Sequence, residues 1–317
     1  MRAVKLKKKT MLKTIALALI ILVPIFSFYF FVGPEFEISI TQTWGRVTSD
    51  TTEIETLIAV NNPTPLSRWL KKIEFDLYIN DLKIASEANE QSVEVKPMGK
   101  TEILFTDFLN NSRIPDLWVT YWNSGYSFDV RLAGNVTFNS AIREMVFSID
   151  YETFADANLL ELLNINAPKE ITVGPTTLTL KSLTSFLGRV TVAQTEIKNF
   201  VAIYNPSNYT VKITKVNCTI EMNGIKVVEN ATNRAISLWA NKTSSLGFTW
   251  ILNNSLLNEW WSTHLINDQI TRVAFKLQVV ANVTGTEYSF SFAEREEEVS
   301  IRILGDTISF RYYLPIL

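Results

Sequence analysis

One stretch of this chain occurs twice, and the second occurrence limits the fold more than any other feature. GRVTSDTTEIETLIAVNNP at residues 45–63 returns as GRVTVAQTEIKNFVAIYNP at 188–206, 143 residues later, with ten of nineteen positions identical. The offset persists beyond the motif, which marks a duplication and not a local coincidence. IEFDLYINDLKI at 73–84 aligns with VNCTIEMNGIKV at 216–227, FTDFLNN at 105–111 with FTWILNN at 248–254, and FDVRLAGNVT at 128–137 with FKLQVVANVT at 275–284. Even the opening recurs, as Val32-Gly33-Pro34 and Val173-Gly174-Pro175. Two copies of about 120 residues fit a 317-residue chain as two domains, 34–150 and 173–300, joined by a linker at 151–172.

Within each copy the apolar residues recur with period two. Ile73, Phe75, Leu77 and Ile79 alternate with polar neighbours, as do Val216, Cys218, Ile220 and Met222, so both runs read as half-buried strands. Asn80-Asp81 and Asn223-Gly224 follow them at the place where a two-residue hairpin needs positive φ at both central positions. After each Asn-Asn pair the period lengthens, and IPDLWVTYW and LLNEWWSTHL read as one short helix per copy. Trp118, Tyr121, Trp122, Trp260 and Trp261 are core packing beneath those helices. Short antiparallel strands plus one helix predict a mainly β chain: two tandem antiparallel β-sandwich domains, immunoglobulin- or fibronectin-like.

The N-terminal flank adds a location. TIALALIILVPIFSFYFFVG, residues 14–33, carries no charge and reaches about 30 Å as a helix, enough for a bilayer core. Six basic residues precede it within a tail at 1–13, and Glu35 and Glu37 follow it. That asymmetry predicts an uncleaved, single-pass anchor in the cell membrane, with a cytoplasmic N-terminus and everything from residue 34 outside. Without those six cations the body has 24 basic against 32 acidic groups, a net of −8, which argues against nucleic acid as a partner. Eight sequons, at Asn110, Asn135, Asn208, Asn217, Asn230, Asn241, Asn253 and Asn282, are candidate N-glycosylation sites, and all follow the span.

The segments ending in Asn62-Pro63 and Asn205-Pro206, each followed by the hairpin strand and an Asn-Asn helix start, resemble the type 2 late embryogenesis abundant family, or WHy domain, in two tandem copies. That resemblance implies a seven-stranded sandwich with one helix, a role in desiccation or pathogen stress, a lipid-binding groove, and no catalytic residues. From the residues themselves, Asn62-Pro63 and Asn205-Pro206 are structural, because proline cannot donate to a ladder and ends the strand.

Searches for chemistry along the chain end in structural readings. One histidine, His264, and one cysteine, Cys218, cannot build the usual zinc sets or a disulfide. Gly99-Lys100-Thr101 lacks the upstream glycine of a phosphate loop, where Glu94 stands. Glu294, Glu296, Glu297 and Glu298 read as a solvated charge run. The expectation is therefore a non-enzyme with no catalytic, cofactor or metal residues. Its function is that of a membrane-anchored extracytoplasmic binding or protective protein, or alternatively a module that binds or transfers lipid or another apolar ligand. Its partners would be the membrane and a lipid or a protein. The tail, 301–317, alternates around Gly305-Asp306 and predicts a C-terminal hairpin that completes the second domain or, as the alternative, docks on a partner or on the first domain.

Overall fold

A computed structural model describes residues 19–24, 35–89, 91–139, 144–232 and 235–313. Of the predicted anchor at 14–33 only residues 19–24 are described, and they are helical; the rest, like the basic tail, lies outside the described residues. Among the described residues no helix is long and apolar enough to cross a membrane.

The first copy contains β1 (Glu35–Val47), β2 (Thr51–Asn62), β3 (Arg68–Ile79), β4 (Leu82–Asn89), β5 (Val93–Val95), β6 (Gly99–Asn110), helix α1 (Ile114–Asn123), β7 (Ser127–Asn139) and β8 (Glu144–Asp156). The second contains β9 (Lys169–Val173), β10 (Thr176–Val190), β11 (Gln194–Asn205), β12 (Val211–Met222), β13 (Ile225–Thr232), β14 (Ile236–Leu238), β15 (Lys242–Asn253), helix α2 (Leu257–Ile266), β16 (Ile270–Val283) and β17 (Thr286–Ser300). The last strand is β18 (Thr307–Tyr313). Strands β2 to β6 reappear as β11 to β15 at an offset of 143 in both first and last residue: 51 becomes 194, 62 becomes 205, 99 becomes 242 and 110 becomes 253. The helices obey the same offset. The predicted linker is shorter than expected, since β8 continues through residue 150 to Asp156, and it holds one 3-10 turn at Glu161–Leu163.

The strands form four antiparallel sheets. The first copy contributes β18-β1-β2-β6 and β4-β3-β7-β8, and Phe36, Ile38 and Ile58 of the one join Ile73, Val136 and Ile149 of the other in a single buried apolar cluster. The second copy contributes β15-β11-β10-β9 and β13-β12-β16-β17. Both hairpin turns take the conformation that their residues predict: φ is 47° and 62° at Asn80 and Asp81, and 52° and 82° at Asn223 and Gly224. Cys218 is 2% exposed, and burial pushes its thiol pKa well up, as a core thiol requires.

Matched core positions exchange volume. Phe75 pairs across the sheet with Gly134, whereas Cys218 at the matched position pairs with Leu277. A Cβ on Gly134 would stand 2.2 Å from the Glu74 carbonyl oxygen and 2.6 Å from Phe75 Cα. One copy therefore combines a large residue with none, and the other a small residue with a large one, which keeps the layer filled.

The tail departs from expectation. Residues 301–306 are not strand, so no hairpin forms about Gly305-Asp306, and β18 takes the alternative place, on the first copy and not the second. It pairs antiparallel with β1, from Thr41↔Thr307 to Glu35↔Tyr313, and Ile308, Phe310 and Tyr312 pack on the first copy's core. The physical reason lies in the edge it fills. In the second copy β9 pairs with β10 on the edge that β1 presents in the first. The sequence that matches β9 through the Val-Gly-Pro alignment is residues 28–32, within the apolar run. The chain's other end supplies the missing strand, and an apolar edge is covered.

Candidate functional site

The residues that recur in the two copies converge on two places. The first is the Asn-Pro end of each copy. Asn62 is fully buried, and its amide Nδ2 donates to the carbonyls of Leu66 (2.9 Å) and Val95 (3.4 Å). Its Oδ1 accepts from Thr64 N (3.0 Å) and Thr64 Oγ1 (2.7 Å). Asn205 repeats the set with the carbonyls of Tyr209 and Leu238 (both 2.9 Å) and with Ser207 N (3.1 Å) and Oγ (2.6 Å). Proline ends the strand, as expected, but the asparagine holds the loop that crosses to the other sheet. Replacing Asn62 with alanine strands buried loop groups, and we expect a loss of about 2–3 kcal/mol, read as a lower urea midpoint. An unchanged midpoint would mean that the loop is held by other contacts.

The second place is the junction between the copies, where the helices meet. Trp118 Nε1 donates to Thr195 Oγ1 (2.9 Å), Thr195 donates to Asn254 Oδ1 (3.0 Å), and Asn254 Nδ2 donates to the Thr191 carbonyl (2.7 Å). The reciprocal path runs from Trp261 Nε1 to Thr52 Oγ1 (3.1 Å), from Thr52 to Asn111 Oδ1 (2.8 Å), and from Asn111 Nδ2 to the Thr48 carbonyl (2.9 Å). Each tryptophan belongs to one copy and each threonine to the other. This reciprocity, residue i on j and j on i, is that of a two-fold dimer contained in one chain. Trp118 and Trp260 also meet edge to face at 5.6 Å, and one apolar cluster runs from Ile54 and Leu77 of the first copy to Val279 of the second.

The opening motif feeds this junction. Gly45 and Gly188 leave room for the carboxylates of Glu53 and Glu196, where a Cβ would come within 2.7 and 2.8 Å of those side chains. Glu53 Oε2 accepts from Arg46 N (2.8 Å) and Glu196 Oε2 from Arg189 N (3.3 Å), fixing the bulge before the turn. Thr48 and Thr191 close that turn through hydroxyl bonds to the Thr51 and Gln194 carbonyls.

His264 stands where Tyr121 does in the first copy, and both fasten the chain as it leaves the last strand. The Tyr121 hydroxyl bonds the Ala157 carbonyl, while His264 Nε2 lies 3.2 Å from the Ile301 carbonyl and Nδ1 2.9 Å from Thr271 Oγ1. Gln269 continues the hold, accepting from Trp44 Nε1 (3.1 Å) and Ile303 N (2.8 Å) and donating to the Leu304 carbonyl (2.8 Å). Burial lowers the His264 pKa from 6.5 to about 4, and its contacts with Trp260, Trp261, Thr271 and Ile301 include no charged side chain. Between those two values the unfolded chain holds a proton that the folded one refuses, so stability rises with pH across this window. It falls as pH drops toward 4, by roughly 3 kcal/mol at most. His264→Gln is expected to remove this dependence when stability is measured from pH 4 to 7; parallel curves for the two proteins would contradict it.

The other candidates do not assemble a site. Gly99-Lys100-Thr101 opens β6, and Lys100 bonds Glu102. The glutamates of β17 form surface pairs, Glu296 with Arg272, Glu294 with Lys276 and Glu297 with Arg295. Among the described residues no group of His, Cys, Asp or Glu could hold a metal. Of the sequons, Asn110, Asn208, Asn241 and Asn253 are exposed and Asn135, Asn217, Asn230 and Asn282 half-buried. Asn110 and Asn253 cap the 3-10 turns before the helices, and Asn230 is bonded to both backbone groups of Ile251. A cavity of about 30 Å³ opens at the junction beside Trp118, Trp122, Leu160, Leu163 and Met222, and the buried Trp122 Nε1 has no partner.

Thr52, Thr195, Asn111 and Asn254 belong to no motif that names them as functional. Their signal was identity at the 143-residue offset in the midst of divergence.

The family model described as late embryogenesis abundant protein matches residues 57–152. A crystal structure of a protein from Archaeoglobus fulgidus is 30% identical, covering 39% of this chain and 99% of its own, with a TM-score of 0.38. A solution structure of a protein from Arabidopsis thaliana is 18% identical, covering 39% of this chain and 83% of its own, with a TM-score of 0.32. A putative beta-galactosidase from Bacteroides fragilis aligns with 82% of this chain and 34% of its own length at 13% identity and a TM-score of 0.24, too remote to bear on activity. No curated protein matches the chain.

Proposed function

We infer that this chain, which carries a late embryogenesis abundant domain at residues 57–152, is a stress-related, non-enzymatic binding or protective protein, held at the outer face of the cell membrane by residues 14–33. The observation that carries the reading is how the recurrent polar residues are used. Asn62, Asn205, Asn111, Asn254, Thr52 and Thr195 each direct their side-chain hydrogen bonds to holding a loop or the partner copy. Duplication has preserved a scaffold. In each copy two sheets and one helix support the tandem-sandwich reading, with the second copy as a WHy-like domain related to the first by the 143-residue offset.

The alternative, carriage of a lipid inside the protein, needs a cavity of several hundred Å³. The apolar cavity at the junction is about 30 Å³, room for one or two waters, and two larger hollows of about 420 and 620 Å³ are open and lined mostly by polar and charged residues such as Glu221, Lys226, Arg272 and Glu298. Two measurements test the main reading. Protease added to intact cells should digest residues beyond 34 and spare the basic tail; the reverse pattern would invert the orientation. The purified chain, dried with a labile test enzyme, should preserve more of its activity than an equal mass of albumin, and equal recovery would remove the protective role.

A further inference from the structure

The Asn-Pro end of the first copy is the end at which the chain emerges from the apolar segment. Asn61 pairs with Glu37 and Asn62 with Gly99, so the β2–β3 loop and the β5–β6 turn lie beside Glu35, the first described residue after that segment. β18 arrives at the same place, with Tyr313 opposite Glu35 and the sequence Leu-Pro-Ile-Leu still to follow. Glu35 and Tyr313, the two ends of the first copy's described sheet edge, thus lie at one rim.

That rim is apolar where a loop is ordinarily polar. Leu66 is 50% exposed, Trp69 49% and Met98 72%, with Pro63, Pro65 and Pro97 exposed beside them. Met98 combines its exposure with φ of 48°, a left-handed conformation that favours Gly or Asn. The second copy supplies an internal control, because its matching loops have the same backbone. Asn241 takes the place of Met98 at φ 53°, Asn208 the place of Pro65, and Lys212 the place of Trp69. Trp239 stands where the first copy has Lys96, Tyr209 where it has Leu66, Ala240 where it has Pro97, and Pro206 repeats Pro63. At the three positions Pro65, Trp69 and Met98 the residue is apolar on the copy that adjoins the apolar segment and polar on the copy that is remote from it. Two of the polar replacements, Asn208 and Asn241, are sequons.

We propose that the rim formed by Leu66, Trp69 and Met98 seats in the headgroup region of the bilayer crossed by residues 14–33, fixing the first copy against the membrane. Amphipathic aromatic and aliphatic side chains at that depth exchange water for the acyl boundary. The anchor then acts with the rim as a two-point attachment, and the second copy is held away from the surface. The inference rests on the anchor reading.

The test uses the full chain in a Cys218→Ala background with one new cysteine, Met98→Cys or Pro65→Cys at the rim, and Asn241→Cys or Asn208→Cys at the matching places in the second copy. Each is labelled with an environment-sensitive fluorophore and reconstituted into phosphatidylcholine vesicles that contain doxyl-labelled lipid. The rim labels are expected to shift to the blue and to be quenched about twofold or more, while the labels on the second copy stay water-like. Protein that floats with the vesicles but gives equal, unquenched signals from both copies overturns the rim and leaves the anchor standing. Protein that does not float overturns the anchor, and the rim proposal with it.

Discussion

Deleting residues 307–317 is expected to destabilise the first copy by about 3–5 kcal/mol and to leave the second nearly unchanged, although the deleted strand is contiguous with the second in sequence. Ile308, Phe310 and Tyr312 are each half-buried on the first copy's core, and their loss exposes Phe36, Ile38 and Ile40 along a bare sheet edge. Hydrogen exchange resolved by strand checks this: β1 and β2 should lose protection while β11 and β12 keep theirs. Loss confined to the second copy would restore the arrangement expected from sequence. The deleted protein should also aggregate through the opened edge, an effect that lysines placed on β1 would reduce.

The second large effect lies at the junction. Trp118→Ala and Trp261→Ala should each cost about 3–5 kcal/mol, the range for truncating a buried tryptophan. Part of that cost falls on the opposite copy, because Trp118 satisfies Thr195 and Trp261 satisfies Thr52. Combining Trp118→Ala with Thr195→Val should therefore cost less than the sum of the two single changes, since each removes a partner that the other needs. Strict additivity in urea titrations would mean that the relay bonds contribute nothing beyond packing.

These two effects mark where the sequence was readable and where it was not. Alternation at Ile73–Ile79 and Val216–Met222 announces strands because a pleat puts every second side chain on one face, and Asn80-Asp81 and Asn223-Gly224 announce turns because few residues adopt positive φ cheaply. Both signals are local. The partner of β18 is not local: its alternation shows an apolar face without naming the edge it pairs with, and any antiparallel edge offers the same ladder. The information was in a different comparison, between Val32-Gly33-Pro34 and Val173-Gly174-Pro175, which sets the apolar residues 28–32 of the first copy against β9 of the second. Burial likewise identified Trp118 and Trp261 as packed residues, but it does not distinguish a domain core from an interface between domains. Asn62 and Asn205 were legible as a motif while their role was not, since a strand terminator and a four-bond loop clamp are both spelled Asn-Pro.

The central claim is that the two copies form one unit, joined reciprocally at the helices and tied again by the tail. Urea unfolding followed separately in each copy tests it most directly, by hydrogen exchange at β2 and at β11 in the same sample. One transition is expected, with both strands losing protection at the same denaturant concentration and with the same slope. Two separated transitions, the second copy surviving after the first has opened, would show independent beads on a string and would contradict it.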